Sequence, residues 1–257
     1  MAKRRPEDVE VEETHRFVAP LLVGCRRILD VGCGNGLLAR RLVADGFQVT
    51  GLDRSLKKTE RARSVRFVEG DFLEFDEAPF DALVFSASLH HLSPLERALE
   101  SAHRLLRPGG LLVASDFDLD APDEATARWY YDLEGLLVAA GLYPEDRVCG
   151  SEEDDPLSRW HEDHVDDPPF HRGAAMKEAI ARKFSLLGEQ RGPYLYRYVV
   201  GGLVHTTPRR HTRTARGTAG AASFDRARIA AWALAAEQRG IAAGALKPVG
   251  LRLWAKK

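Results

Sequence analysis

The chain has 257 residues, of which 44% are hydrophobic and 29% charged, a composition that suits one soluble domain with a full core and an insertion. Its formal net charge of -1 gives no overall electrostatic case for binding nucleic acid or a membrane surface. Three scattered cysteines, Cys25, Cys33 and Cys149, argue against a disulfide framework and a CxxC zinc site, and the N-terminus turns acidic where a signal peptide would be apolar. Because no apolar run approaches the length of a membrane span, we expect a cytoplasmic protein.

Strands and helices alternate over the first 120 residues. Apolar runs in RRILDVG, FQVTGLD, VRFVEGD, FDALVFSAS and LLVASDFD predict five buried strands, and GLLARRLVADG predicts a helix closed by Gly46. SPLERALESAHRLLRPGG predicts another helix, with Ser93 as its N-cap, Pro94 at its first position and Glu96 completing a capping box. This alternation indicates a doubly wound α/β sheet, whose ligands bind beyond the carboxyl ends of the strands.

The alternation stops after residue 120. Residues 121–222 carry the helical stretches EATARWYYDLEGLLVAAGL and AAMKEAIARKFSLLG, together with an acidic loop and an aromatic segment. A helix then returns in SFDRARIAAWALAAEQRG, and IAAGALKPVGLRLWAKK predicts two strands around a Pro-Gly turn. We therefore expect a ligand-binding half at 1–120, an α-rich cap or substrate subdomain inserted after the fifth strand at 121–222, and the closing helix and strands of the core at 223–257.

A glycine-rich turn follows the first strand. Gly32, Gly34 and Gly36 let the backbone bend and approach a ligand at the start of a helix, where free N–H groups face a negative group. Leu37 stands where a dinucleotide-binding fingerprint would need a further glycine, and no lysine follows as in a P-loop. This spacing disfavours both NAD and a polyphosphate.

Two carboxylates follow the next two strands. Asp53 lies about twenty residues after the glycines, where a carboxylate accepts both hydroxyls of a ribose. Asp71 ends the third predicted strand, where it can accept the exocyclic amine of adenine beneath Phe72 as an apolar lid. A glycine loop, followed by one carboxylate for the ribose and another for the adenine, predicts an adenosine ligand.

Five ordered motifs, DVGCGNG, GLDRS, VEGDF, VFSASLHHL and LLRPGGLLVASD, resemble those of class I S-adenosylmethionine-dependent methyltransferases, in the branch of ubiquinone-biosynthesis-like small-molecule enzymes. The resemblance implies a Rossmann-like seven-stranded sheet, S-adenosylmethionine as cofactor, S-adenosylhomocysteine as product and an activity in EC 2.1.1.-. It also implies that residues 1–120 bind the cofactor, through Asp30, Gly32, Cys33, Gly34 and Gly36 at the methionine end, Asp53 at the ribose with Arg54 beside it, Asp71 and Phe72 at the adenine, and Ser86 and Ala87 near the transfer point. Cys33 is then a family variant without a redox role, and the other two cysteines are structural.

His90 and His91 follow the fourth strand. One imidazole can act as a general base near the transfer point, or the pair can order the loop and contact ligands without moving a proton. Since a sulfonium methyl is already activated, alignment and exclusion of water supply most of the expected catalysis. The segment SASL lacks the Asn-Pro-Pro-aromatic signature of the enzymes that methylate amines in nucleic acids.

The segment from 121 to 222 offers further candidates. Trp160, His161 and His164 lie among acidic residues, where a metal site can be weighed, but we expect a substrate-facing role for them and no metal. Tyr194 and Tyr196 share one face if PYLYRYVV is a strand, and either wall an aromatic substrate or form core. The basic stretch from 209 to 216 either contacts phosphate or is a solvated loop.

We expect a methyltransferase that acts on an oxygen or nitrogen nucleophile of a small molecule, without a nucleic-acid or membrane partner. Two alternatives stay open: an enzyme that methylates RNA or protein, and a regulatory partner that binds S-adenosylmethionine without catalysis. A homodimer is also open.

Overall fold

The computed structural model describes residues 4–59, 62–77, 79–143, 155–165, 170–205 and 224–257. Cys149 and the basic stretch from 209 to 216 lie outside the described residues. The elements in chain order are α1 (Pro6–Leu21), β1 (Arg27–Val31), α2 (Leu37–Ala44), β2 (Gln48–Asp53), β3 (Arg66–Glu69), β4 (Phe80–Ser86), α3 (Leu95–Leu105), β5 (Leu106–Phe117), α4 (Glu124–Ala139), α5 (Pro156–Glu162), α6 (Gly173–Lys183), β6 (Ser185–Gly192), α7 (Leu195–His205), α8 (Arg226–Ala242) and β7 (Gly250–Lys256).

The strands form one seven-stranded sheet in the order β3-β2-β1-β4-β5-β7-β6. Strands β1 to β5 pair in parallel, whereas β7 runs antiparallel to both β5 and β6. Buried side chains of α1 and α2 pack on one face of the sheet, and those of α3 and α6 pack on the other. The predicted doubly wound, Rossmann-like sheet is confirmed, and the switch in strand order at β1 and β4 opens its ligand edge.

The predicted start of α3 is wrong by one residue. The helix begins at Leu95, and the residue at its N-cap position is Pro94, whose ψ of 141° is extended. Ser93 therefore lies one residue too early to cap the helix, and no side-chain cap bond forms. The apolar residues Leu95, Ala98, Leu99, Ala102 and Leu105 of the helix are buried against the sheet.

The last two strands of the sheet differ from the prediction. Residues 241 and 242 complete α8, and only Gly250–Lys256 of the C-terminal segment forms a strand. Its partner β6 comes from the segment 121–222. The helix predicted for AAMKEAIARKFSLLG ends at Lys183, because the backbone becomes extended at Phe184, and the following residues form β6. Gly188 allows β6 to lie against Trp254 of β7, since an added Cβ would stand 2.1 Å from the indole ring.

The aromatic segment after β6 is a helix rather than the strand considered above. Tyr194 immediately precedes α7 and Tyr196 lies in its first turn. The cause is a long-range cap: the buried carboxylate of Glu237 on α8 accepts the backbone N–H groups of residues 194, 195 and 196 at 2.7, 2.9 and 2.9 Å. These donors are the free N–H groups of a helix start, and an acceptor that is far away in sequence satisfies them.

Within the described residues, no helix is long and apolar enough to cross a membrane.

Candidate cofactor and acceptor site

The glycine loop connects β1 to α2 at the carboxyl edge of the sheet. Gly32, Gly34 and Gly36 have φ angles of 72°, 50° and 74°, a region that L side chains rarely adopt. Space adds a second requirement at two of them, because a Cβ on Gly32 would stand 2.6 Å from the Ser88 side chain, and one on Gly36 would stand 2.7 Å from Phe67. The loop therefore needs glycine for both its conformation and its packing.

Asp53 fixes the end of β2 to this loop. Its Oδ2 accepts the backbone N–H of Gly34 at 2.8 Å, and its Oδ1 accepts the N–H of Ser55 at 3.0 Å. Each carboxylate oxygen keeps a further lone pair. The carboxylate is therefore oriented and can still accept hydrogen bonds from two ligand hydroxyls.

Asp71 and Arg54 form an ion pair at the same edge. The guanidinium donates to Oδ2 at 2.8 Å, while Oδ1 accepts the backbone N–H of Leu73 at 2.8 Å. Phe72 is 3% exposed and packs edge-on against Phe85, with ring centroids 5.6 Å apart. Asp53, Arg54 and Phe72 line one cavity of about 260 Å³, and Asp71 stands beside it.

A second cavity of about 250 Å³ adjoins the first, because Gly32 and Ala87 line both. Ala87, after β4, has a φ of 51°, so a residue with a side chain holds a left-handed conformation at the junction. The second cavity is lined by the sheet edge and by three helices. The sheet edge and its loops contribute Asp30, Gly32, Cys33, Gly34, Asn35, Ser86 and Ala87, and the helices contribute Glu7, Glu10, Val11 and Thr14 of α1, Leu38 of α2 and Arg197 of α7.

Asp30 is the most unusual carboxyl group of this cavity. The side chain is 1% exposed, and Oδ2 has no hydrogen-bond partner among the described residues. Burial, reinforced by the charge of Asp53, raises the pKa of Asp30 to about 7. Burial followed by the charges of Asp30 and Asp53 also raises the pKa of Cys33, which therefore stays a neutral thiol. A buried acceptor without a partner is suited to a cationic ligand group.

His90 pairs with a buried carboxylate that the sequence analysis missed. Its Nδ1 lies 2.7 Å from Oδ1 of Asp116 on β5, whose Oδ2 accepts the backbone N–H of His90 at 3.3 Å. Burial opposes ionisation of Asp116, but the charge and hydrogen bonds of His90, with the N–H of Phe117, hold the pKa of that carboxyl below its ordinary value. A carboxylate only accepts, so the Nδ1–H group of His90 donates to Asp116, and Nε2 is the ring nitrogen that can exchange a proton with a ligand.

His91 is exposed and lines the first cavity. Its ring lies 3.9 Å from that of His90, and the ring of Phe170 packs edge-on against both, at 5.0 Å from His90 and 4.8 Å from His91. His171 anchors Phe170 here, because its backbone N–H donates to the carbonyl of His90 and its Nε2 donates to that of Leu92, each at 3.0 Å. Phe170 is thus held against the two histidines by its neighbour His171.

An aromatic cluster covers this side of the site. Phe117 stacks on Tyr194 at 5.0 Å, and the rings of Phe170, Tyr198 and His164 surround it at 5.9–6.4 Å. Ala87, at the junction of the two cavities, packs against this cluster. The cluster therefore borders the point at which the cavities meet.

The other predicted residues of the segment 121–222 lie in different surroundings. Trp160 is fully buried, and its indole N–H donates to the carbonyl of Leu119 at 2.9 Å. His164 contacts the Trp160 carbonyl through Nδ1 at 2.7 Å and the Tyr198 hydroxyl through Nε2 at 2.8 Å. His161 is exposed, and Tyr196 is buried in another core cluster with Val9. Nowhere in the described part of the chain do three His, Cys, Asp or Glu side chains converge as metal ligands.

Comparisons with known proteins identify the family of the chain. A family model described as a methyltransferase domain matches residues 1–143. An uncharacterised methyltransferase from Mycobacterium bovis is 33% identical over 146 residues, which cover 54% of this chain and 71% of the relative. The 27-O-demethylrifamycin SV methyltransferase of Amycolatopsis mediterranei is 39% identical over 111 residues, which cover 38% of this chain and 40% of that enzyme.

Among solved structures, an S-adenosylmethionine-dependent methyltransferase from Mesorhizobium loti is 19% identical, with 91% of each chain covered and a TM-score of 0.50, a likeness in fold. The family model, by contrast, matches more than half of the chain in sequence. The chain therefore belongs to the methyltransferase family, and the prediction of a class I S-adenosylmethionine-dependent methyltransferase is confirmed.

Proposed function

We propose that this methyltransferase acts on a hydroxyl group of a small molecule that reaches the junction of the two cavities past the aromatic cluster. The pairing of His90 with Asp116 is the observation that favours a hydroxyl as the methylated group. An alcohol or phenol must lose a proton as it is methylated, and a neutral imidazole held by a carboxylate is suited to take that proton.

The two adjoining cavities fit the two parts of S-adenosylmethionine, whose sulfonium supplies the methyl group. Asp53 would accept the ribose hydroxyls and Asp71 the adenine amine, while Arg54 holds the Asp71 side chain in place. Asp30, Gly32 and Gly34 would hold the methionine portion, with the unpartnered Oδ2 of Asp30 as the acceptor for its ammonium group. Ser86 and Ala87 would border the reacting carbon.

On the acceptor side, the rings around Phe117 supply apolar, flat surface next to Ala87. Such surface favours an acceptor with an aromatic or conjugated portion, which the rings would align and shield from water. The relative from Amycolatopsis mediterranei is named for a small-molecule acceptor, which is consistent with this class. Trp160 and His164 would support the cluster from behind, because Nε2 of His164 contacts the hydroxyl of Tyr198.

Asp116 would act as a positioning residue for His90. It fixes the tautomer and stabilises the imidazolium that forms when the proton moves. Asp116→Asn keeps the shape of the side chain but removes the charge, so methylation of a hydroxyl acceptor should fall about 100-fold in kcat and shift its pH dependence. Methylation of an amine acceptor of the same shape, supplied as the free base, should fall less than about threefold.

The test uses the purified chain and two readouts. Calorimetry first measures S-adenosylhomocysteine binding to the wild type, to Asp53→Ala and to the exposed control Asp132→Ala; loss of binding in the first variant alone supports the cofactor site. Transfer of radiolabelled methyl to hydroxylated aromatic and polyketide-like acceptors, and to their amino counterparts, then follows in the wild type and Asp116→Asn. Equal losses for hydroxyl and amino acceptors would contradict the role of His90, and absence of cofactor binding would contradict the whole proposal.

A further inference from the structure

Arg197 is a buried cation that neither the sequence motifs nor the proposed transfer step uses. It lies on α7 and lines the cavity next to Asp30, with its side chain 12% exposed. Its guanidinium donates to the carboxylate of Glu10 and, at 3.2 Å, to the hydroxyl of Thr14, both on α1, and it lies 5.3 Å from the centre of the Tyr194 ring. The cation thus stands where α1 and α7 close the cavity.

The charges that line this cavity are unequal. Glu7, Glu10 and Asp30 supply three carboxyl groups, and Arg197 is the cation among the lining residues that the structure describes. Burial opposes the charge of Arg197, but Glu10 and the neighbouring phenols hold the pKa of the guanidinium above its ordinary value. An amino-acid group carries one positive and one negative end, so it needs one acceptor and one cation at opposite sides of such a space.

We infer that Arg197 binds the carboxylate of the cofactor's methionine portion and exchanges its ion pair with Glu10 for this new partner. The inference rests on the proposed function. Asp30 would hold the ammonium end through its unpartnered oxygen, which leaves the carboxylate end to the guanidinium that lines the same cavity. Glu10 then competes with the ligand, since two carboxylates on one guanidinium repel each other.

The surroundings of Glu10 allow such an exchange without loss of α1. Glu13, one turn further along α1, is 5% exposed and accepts from Arg252 of β7 at 2.8 Å. This second ion pair keeps the helix on the sheet when Glu10 loses its partner. The planar guanidinium keeps its place over the Tyr194 ring, so its donors are already directed when the ligand arrives.

Calorimetry with two ligands tests the exchange. S-adenosylhomocysteine carries the amino-acid portion, whereas 5′-methylthioadenosine has the same adenosine and thioether without it. Arg197→Met should weaken binding of S-adenosylhomocysteine about 10- to 100-fold and change binding of 5′-methylthioadenosine less than about threefold. Glu10→Gln, which removes the competitor, should tighten S-adenosylhomocysteine binding about three- to tenfold. Arg128→Met, at an exposed arginine of α4, should change neither.

Each other outcome is informative. Equal weakening of both ligands by Arg197→Met, or weaker S-adenosylhomocysteine binding in Glu10→Gln, would overturn the exchange and leave Arg197 a structural residue. If Arg197→Met does not fold, Glu10→Gln alone decides, because it leaves the cation in place. Failure of the wild type to bind either ligand would instead overturn the proposed function. A wild type that binds both ligands equally would keep the adenosine site and refute the inference about Arg197.

Discussion

Replacing Asp30 with asparagine should separate the stability of the protein from its ability to bind the cofactor. Burial raises the pKa of this carboxyl from 3.8 to about 7. A group with a raised pKa holds its proton more tightly in the folded than in the unfolded chain, so its stabilising effect is complete below about pH 4 and is lost as the pH rises to about 7. At about 1.4 kcal/mol per pH unit, the loss reaches about 4 kcal/mol.

Asparagine has the same shape but does not ionise, so Asp30→Asn should escape this loss. An amide N–H₂ group without a partner costs about 1–3 kcal/mol, which leaves the variant at least about 1 kcal/mol more stable than the wild type at pH 8. At pH 4 the order should reverse. Urea unfolding at both pH values measures the free energy of unfolding, with the exposed Asp132→Asn as control. If Asp30→Asn and the wild type showed the same pH dependence, the reasoning would be refuted.

Cofactor binding gives the complementary readout for the same residue. Asp30 must lose its proton to accept an ammonium group, so the affinity of the wild type for S-adenosylhomocysteine should rise about tenfold per pH unit up to about pH 7 and then level off. Calorimetry at pH 6 in two buffers of different ionisation enthalpy should detect about one released proton, and none at pH 8. A flat affinity between pH 5 and 7 would contradict the role of this carboxyl.

Two substitutions test contacts that the fold depends on. Glu237→Gln turns one acceptor of the α7 cap into a donor and should lower the free energy of unfolding by about 2 kcal/mol, measured by urea denaturation, while the exposed Gln238→Ala on the same helix should have little effect. Gly188→Ala forces a Cβ into the Trp254 ring and should destabilise the protein by about 1–3 kcal/mol, whereas Gly201→Ala, with open space around the new Cβ, should not; equal effects of the two glycine changes would contradict the packing argument.

The cofactor half of the fold could be predicted because its signals are local. Each strand from β1 to β3 ends in a glycine or a carboxylate within a few residues, and parallel strands bring those ends to one edge. Gly32, Asp53 and Asp71 could therefore be placed together from spacing alone. The same reasoning failed at β6, where a strand follows a helix after one extended residue and is specified by its pairing with β7.

The spacing of residues at strand ends does not identify the roles of Asp116 and Arg197, for two different reasons. Asp116 was visible in the sequence as a charged residue in a buried strand, a signal that could have been used, but its partner His90 is identified only by the pairing of β4 with β5. Arg197 lies in a segment whose helix depends on Glu237, more than forty residues later. No local pattern carries such a dependence, since a carboxylate in the middle of α8 has the sequence signature of a solvated helix face.

The local motifs at the strand ends explain why the activity is easier to predict from the sequence than the acceptor. The cavity proposed for adenosine is built from backbone turns and carboxylates at strand ends, where few residue types meet the geometric need. The proposed acceptor side is built from rings packed around Phe117, and many combinations of apolar and aromatic residues fill such a space equally well. We expect Phe170, held over His90 by the backbone of His171, to contact the acceptor directly. Phe170→Ala should therefore change which acceptors are methylated, measured as the ratio of kcat/KM values for a large and a small acceptor, while S-adenosylhomocysteine affinity stays within about threefold; a parallel loss for every acceptor would assign Phe170 to packing alone.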